Sequence, residues 1–393
     1  MMLSTRIACE ALVGRSFMAV AVVSEFNPFH NGHKYLLETA KNKTDEGIIA
    51  VMSGSFTQRG EVALTDKFTR AKTALNNGAD LVIELPTVYA VSNAQRFAKC
   101  GVEIAKAFDC VNFLAFGCEN DDIDELVKAS NALDNEEVKV KISEEMKKGN
   151  YYPRAVELAV RSILGDKTAD ILTSPNNILA VEYLRNLSDK VKPLPIMRKG
   201  AEHDSSITSE NIASASQIRT LLRNQKPVND YLPEIPEKIT YTENLELITL
   251  YKLRTMTAED FAKLPDVNEG LENRIFEAVN NYNSVKEIIE AVKTKRYTHA
   301  RIRRIITCTL LEISEQLQNC DVKYARVLGF TSKGAEMLKS CKIEVVTSVA
   351  KALKNENIRE MLEKDIYATD ISSLAYNEIR GKGLDFTTPI VKV

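Results

Sequence analysis

The sequence predicts an α/β protein, a doubly wound parallel sheet followed by an all-helical domain. Three observations carry this. Short apolar runs alternate with helical spacings from Ala19 to about Arg223, each run ends in glycine, proline or a polar residue, and beyond a proline-rich stretch the pattern turns helical.

The first element is the unbroken apolar run Val20–Val23, a buried strand. Asn27-Pro28 and Asn31-Gly32 then break the pattern, and His33–Ala40 resumes at helical spacing. GIIAVMSG (47–54), ADLVIELP (79–86), CVNFLAFG (110–117) and LPIMRKG (194–200) read as four further strands. TDKFTRAKTALNNGA, SNAQRFAKCGVEIAKAF and IDELVKASNALDNEEVKVKISEEMKKGN read as the helices between them. Residues 18–223 therefore form the α/β domain, in which ligands bind beyond the carboxyl ends of the strands. NQKPVNDYLPEIPE (224–237) reads as a linker. After it come LELITLYKLRTM, AEDFAKL, GLENRIFEAVNNY, SVKEIIEAVK and ARIRRIITCTLLEISEQL, so 238–393 is expected to be a helical domain, YARVLGFTSKGAEML and LEKDIYATDISSLAY included.

Composition limits what this protein does. Lys and Arg number 52 against 54 Asp and Glu, a net charge of −2, so the whole molecule is not a basic nucleic-acid coat and any such contact comes from local patches. Seven scattered cysteines without a CxxC pair, and only four histidines, argue against a structural zinc site and a disulfide framework and suit a reducing cytoplasm. No apolar stretch is long enough to span a bilayer. Met1–Phe17 is weakly patterned and lacks the apolar core of a signal peptide; it reads as a leader, with Met18 as the functional start.

The loop FNPFHNGH places His30 and His33, and several free backbone N–H groups, at the positive end of a helix, a setting that favours phosphate. Phosphoryl-type transfer needs positioning and charge neutralisation more than covalent chemistry. Neutral or protonated imidazoles donating to a bound phosphate would stabilise charge that builds on it, and Gly32 would let a ligand approach the backbone. In IASASQIR, Ser214 and Ser216 cap a helix and Arg219 stands one turn in, a second phosphate clamp. Gly117 is a strand-end glycine, Arg198 a strand-end charge, and Asn176 and Asn177 lie in the first turn of a helix begun by Ser174-Pro175. Two charge clusters remain, each a solvated face or a contact surface. One holds Gln58, Arg59, Asp66, Lys67 and Arg70; the other, KTKRYTHARIRR, holds Lys293, Lys295, Arg296, Arg301, Arg303 and Arg304 with Tyr297 and His299 interleaved and no acid.

FNPFHNGH matches the HxGH motif of the nucleotidyltransferase superfamily. With SGSFTQRGE, LVIELP, FGCE, SPNNILAVEYL and IASASQIR, the chain resembles the bacterial tRNA(Met) cytidine acetate ligase family from about Met18 to its C-terminus. The resemblance implies that acetate attacks the α-phosphate of ATP, giving acetyl-adenylate and pyrophosphate, and that the N4 amine of the wobble cytidine of elongator tRNA(Met) then takes the acetyl group, yielding N4-acetylcytidine and AMP. It implies catalytic roles for His30, His33 and Arg219. It implies an ATP site made by Val23, Ser24, Glu25, Phe26, Asn27, Pro28, Phe29, His30, Asn31, Gly32, His33, Lys34, Tyr35 and Leu36, with Gly117, Arg198, Ser214, Ser216 and one of Asn176 and Asn177. The basic cluster would face the tRNA, and the first cluster the acetate or the RNA. Mg²⁺ is expected on the triphosphate on charge grounds, with no dedicated metal site. The segment after Arg198 departs from the family pattern: Glu202 stands where a tyrosine is expected, so no role is carried over to His203. Two other readings use the same residues. A small-molecule adenylyltransferase has no evident need of the basic helical region, and a non-catalytic RNA-binding protein has none of intact His30, Gly32 and His33.

Overall fold

The structure, a computed structural model, describes residues 18–120, 122–198 and 211–393. The expected leader, and His203, lie outside them. An apolar run such as Val20–Val23 is stable only where both faces are covered. β1 (Ala19–Ser24) accordingly occupies the middle of the sheet, parallel to β2 (Gly47–Ser53) on one side and β4 (Val111–Cys118) on the other. β3 (Leu81–Leu85) and β5 (Lys192–Met197) extend it to the order β5-β4-β1-β2-β3, all parallel. Successive residues face opposite sides: Ala19, Ala21 and Val23 enter one core, Val20 and Val22 the other. The strand order reverses between β1 and β4, so a crevice opens beyond their carboxyl ends.

The helices that matter for the site are α1 (Asn31–Thr44), α2 (Lys67–Asn76), α3 (Pro175–Asn186), α4 (Ala215–Arg223) and α5 (His299–Leu311). None of the helices among the described residues is long and apolar enough to cross a membrane.

The second half is helical as expected through Glu246–Arg254, Leu271–Asn281, Val285–Val292 and α5. It then departs from expectation. YARVLGF, assigned to the helical domain, is β6 (Tyr324–Phe330), antiparallel to β3 with Leu81 opposite Phe330. β7 (Glu344–Val346) and β8 (Val391–Lys392) pair with β6 in parallel. The reason is the edge of β3, whose unpaired amides a seven-residue apolar run can satisfy; periodicity alone does not separate so short a strand from a buried helix. The expected linker is also packed. Val228 and Leu232 bury against Ala213 and Ile218, while Glu234 accepts hydrogen bonds from Thr73 Oγ1 at 2.8 Å and Asn76 Nδ2 at 2.9 Å. The helical region is thus built into the sheet rather than hung from it.

A buried set of charges makes the join. Lys67 Nζ lies 2.8 Å from Glu84 Oε1 and 3.0 Å from Asp385 Oδ1, and Arg326 lies 3.2 Å from Glu84 and 2.6 Å from Asp385. All four residues are buried, two cations against two carboxylates. Removing one partner of such a set leaves a buried charge uncompensated and costs about 3–5 kcal/mol. Lys67 is therefore not available to a substrate, contrary to expectation. Nor is Asp66, which caps α2 through Thr69 N at 2.8 Å and pairs with Arg380 at 3.1 Å.

Candidate active site

At the end of β1 the chain turns sharply, with Phe26 at φ 46° and a cis Asn27-Pro28 bond, before α1 begins. Phe26 and Phe29 are buried in the core, and Phe26 meets the His33 ring edge-on at 5.0 Å. These aromatics fix the shape of the loop, with their side chains in the core. Asn27 also points inward, its Oδ1 accepting Leu64 N–H at 2.7 Å.

The histidines hold each other in place. His30 is the N-cap of α1: its Nδ1 accepts the Gly32 N–H at 3.0 Å, while His33 Nδ1 accepts the His30 N–H at 3.3 Å. The two rings stack at 3.8 Å. A Nδ1 that accepts carries no proton there, so both rings are Nε2–H tautomers with that donor turned outward. Burial, then the charges of Arg198 and Arg219, pushes His30 down to about 3; burial, then His30 and Arg198, holds His33 well below the ordinary histidine value. Both imidazoles are neutral donors at neutral pH.

The expected row of free N–H groups at the start of α1 is absent. Asn31 N donates to Tyr231 O at 3.0 Å, Gly32 N to His30, and His33 N and Lys34 N to His30 O at 2.8 and 3.1 Å. The donors left over at this end of α1 are the imidazole Nε2–H groups. Gly32 also leaves room for the neighbouring ring: a Cβ there would lie 2.8 Å from His30 Cε1 and 3.0 Å from its Nδ1. Within this stretch Ser24 accepts from Phe26 N, and Lys34, Tyr35 and Leu36 belong to the partly buried surface of α1.

The second clamp is brought to the first. Asn31 Nδ2 donates to Asn211 O at 2.8 Å and Asp230 O at 2.9 Å, fastening the approach to α4, and Arg219 Nη1 donates to Asn27 O at 2.8 Å. Ser214 caps α4 through Gln217 N at 3.2 Å, and both Ser214 and Ser216 are exposed. On the other side of the crevice, Gly117 lies under the stem of Arg198, whose Cγ a Cβ would meet at 3.4 Å. The two asparagines divide: buried Asn177 accepts Glu119 N–H at 2.9 Å and is structural, whereas Asn176 lies between Glu119 Oε1 at 2.6 Å and Arg198 Nη1 at 3.4 Å. Arg198 Nε is buried without a hydrogen-bond partner.

The remaining expectations separate by burial. Arg70, 1% exposed, donates to the carbonyls of Glu25 at 2.7 Å, Ser53 at 2.9 Å and Thr65 at 3.1 Å and also to that of Gly54, tying the ends of β1 and β2 together; burial pushes it down to about 10. It is a brace, not the substrate contact its charge suggested. Arg59 is exposed and has no ion pair or hydrogen bond among the described residues. Glu25 was grouped with the loop for ATP but has a distinct setting. Its Oε1 accepts Gln58 N–H at 2.7 Å, and burial pushes its carboxyl up, opposed by that bond and by Arg59, Arg219 and Arg70. The signal was present as the one acid between the strand and FNPFH.

The four arginines of the basic cluster are held by their own protein, three of them by acids. Arg301 donates to Asp266 O at 2.7 Å and Asn268 Oδ1 at 2.8 Å, Arg304 pairs with Asp266 at 3.2 Å, Arg303 with Glu61 at 2.8 Å, and Arg296 with Glu269. Lys293 and Lys295 are exposed and have no such partner among the described residues. A linear reading cannot see Asp266 or Glu61, which come from distant loops.

The HIGH Nucleotidyl Transferase family model matches residues 17–385. The tRNA(Met) cytidine acetate ligase of Thermoanaerobacter sp. (strain X514) is 38% identical over 95% of this chain and 99% of its own length. That of Bacillus velezensis is 37% identical over 92% of this chain and 93% of its own. The crystal structure of Thermotoga maritima TmcAL in its apo form superposes with a TM-score of 0.88 at 33% identity, covering 96% of this chain and 99% of the other. The same protein bound with alpha-thio ATP gives 0.86 at 32% identity.

Proposed function

The chain belongs to the HIGH nucleotidyl transferase family and, within it, to the tRNA(Met) cytidine acetate ligases, and from that premise we propose that it joins acetate to the N4 amine of the wobble cytidine of elongator tRNA(Met) at the expense of ATP. The observation that carries the reading is the stacked pair His30 and His33, two neutral Nε2–H donors at the switch point, flanked by Arg198 and Arg219.

ATP lies across the crevice with its triphosphate between the imidazoles and Arg219, and its ribose and base toward Gly117, Asn176 and Arg198. Mg²⁺ enters on the triphosphate. As acetate attacks the α-phosphorus, negative charge grows on the departing pyrophosphate, and fixed Nε2–H donors in a partly desolvated site stabilise it without reorganising. Being neutral, the imidazoles stay donors and transfer no proton to the leaving group. The acetyl-adenylate then meets the tRNA, whose backbone is held from the side of Lys293 and Lys295. The reaction takes place in the cytoplasm, where ATP and tRNA are.

The test is transfer of radiolabelled acetate, with ATP and Mg²⁺, to bacterial tRNA lacking the modification, followed by nucleoside analysis. Label in N4-acetylcytidine without coenzyme A supports the reading. No label, with pyrophosphate released when phosphorylated cofactor precursors are offered, would assign a small-molecule adenylyltransferase instead.

A further inference from the structure

Amide formation needs a group that takes a proton from the attacking amine. The step belongs to acyl transfer onto tRNA, and assigning a base to it rests on that proposed function. Neither imidazole can serve, because both Nδ1 lone pairs are occupied, by Gly32 N–H at 3.0 Å and His30 N–H at 3.3 Å. Most carboxylates near the crevice are engaged: Glu61 with Arg303 at 2.8 Å, Asp66 with Arg380 at 3.1 Å, Glu119 with Asn176 at 2.6 Å.

Glu25 differs from all of these. It stands one residue beyond β1, half-buried, between β1 and the histidine loop. Its Oε1 accepts the Gln58 N–H at 2.7 Å and its carbonyl is gripped by Arg70 at 2.7 Å, so the residue is held from two sides. Its Oε2 has no hydrogen bond or ion pair among the described residues, and the charges of Arg59, Arg219 and Arg70 act on the carboxyl. Arg219 is itself bonded to the carbonyl of Asn27, two residues on, so Glu25 stands at the edge where the two clamps meet.

We propose that Glu25 is the general base of the acyl-transfer step, accepting at Oε2 the proton of the attacking N4 amine. The amine lone pair forms the C–N bond to the acetyl carbon, and the carbonyl π pair moves onto its oxygen. On collapse the bond from that carbon to the adenylate oxygen breaks, its electron pair leaving with AMP. The amine proton passes to Glu25 and from there to water. Burial raises the basicity of the carboxylate, while the Gln58 N–H and the charges of Arg59 and Arg219 favour its ionised form.

Glu25→Gln tests this, because its amide oxygen still accepts the Gln58 N–H. Acetate-dependent exchange of pyrophosphate into ATP reads the first step; single-turnover transfer from bound acetyl-adenylate to tRNA reads the second. Transfer slowed roughly 100-fold more than exchange is the expected pattern. Equal loss of both, or transfer within about fivefold of wild type, would overturn it, as would a Glu25→Asp variant no faster in transfer than the Gln variant. Wild-type protein that shows no acetate-dependent exchange would instead defeat the functional reading on which the assignment depends.

Discussion

Replacing Gly32 by alanine sets two effects against each other. At the second position of α1, alanine is the better helix former, by about 1 kcal/mol. The new Cβ, however, falls 2.8 Å from His30 Cε1, where carbon atoms normally rest at about 3.5 Å or more. The ring must therefore retreat by about 0.7 Å, beyond the roughly 0.5 Å within which a catalytic group stays productive. Retreat breaks the bond from Gly32 N–H to Nδ1, a capping contact of about 1 kcal/mol, so the stability terms nearly cancel. Catalysis has no such compensation. Loss of one aligned donor to developing charge costs about 10²–10³ in kcat. Gly32→Ala should melt within a few degrees of wild type yet exchange pyrophosphate into ATP about 100-fold more slowly. Exchange within threefold of wild type would refute the claim that His30 geometry limits adenylation.

The remaining expectations concern charge. Lys293→Gln with Lys295→Gln should weaken tRNA binding, lower the slope of log affinity against log salt by about 2, and leave thermal stability unchanged, whereas Arg304→Ala should lower stability through Asp266; a filter-binding salt titration and thermal melts decide this, and an unchanged slope would mean the lysines are only solvated. The buried His30 is neutral in the fold and has a depressed value of about 3, so the unfolded chain binds more protons below the ordinary histidine value. Stability is therefore fully present above about pH 6.5 and falls as pH drops toward 3, by roughly 1 kcal/mol per pH unit from this residue. Urea unfolding at pH 7 and 5 should show a shallower decline in His30→Gln, and an unchanged decline would mean that His30 is not the buried group that titrates.

The loop at the heart of the site was legible because its punctuation is local: an apolar run, Asn-Pro, two histidines and a glycine leave little choice but strand, turn and helix start. What each group does there was not. The N–H groups of α1 looked free until Tyr231, some 200 residues away, supplied a carbonyl. Lys67 and Arg70 read as surface because a cation on a helix usually is; only Glu84, Asp385 and four backbone carbonyls brought by other elements make burial tolerable. β6 was missed for the same cause, since the strand edge it completes is remote in the chain and nothing in YARVLGF names its partner.

The join at Lys67 also orders events in time. On the ribosome, α2 and β3 are made early, but Asp385, which completes the neutral set, and β8, which pairs with β6, emerge only after some 300 further residues. Until then Lys67 must stay hydrated, or sit in the core with one carboxylate and no Arg326. The nucleotide half of this protein is therefore not a unit that can finish first and wait. A nascent chain stalled before residue 385 should remain a client for chaperones and be cut readily near α2, so that the strands bearing the histidine loop mature only together with the C-terminal segment.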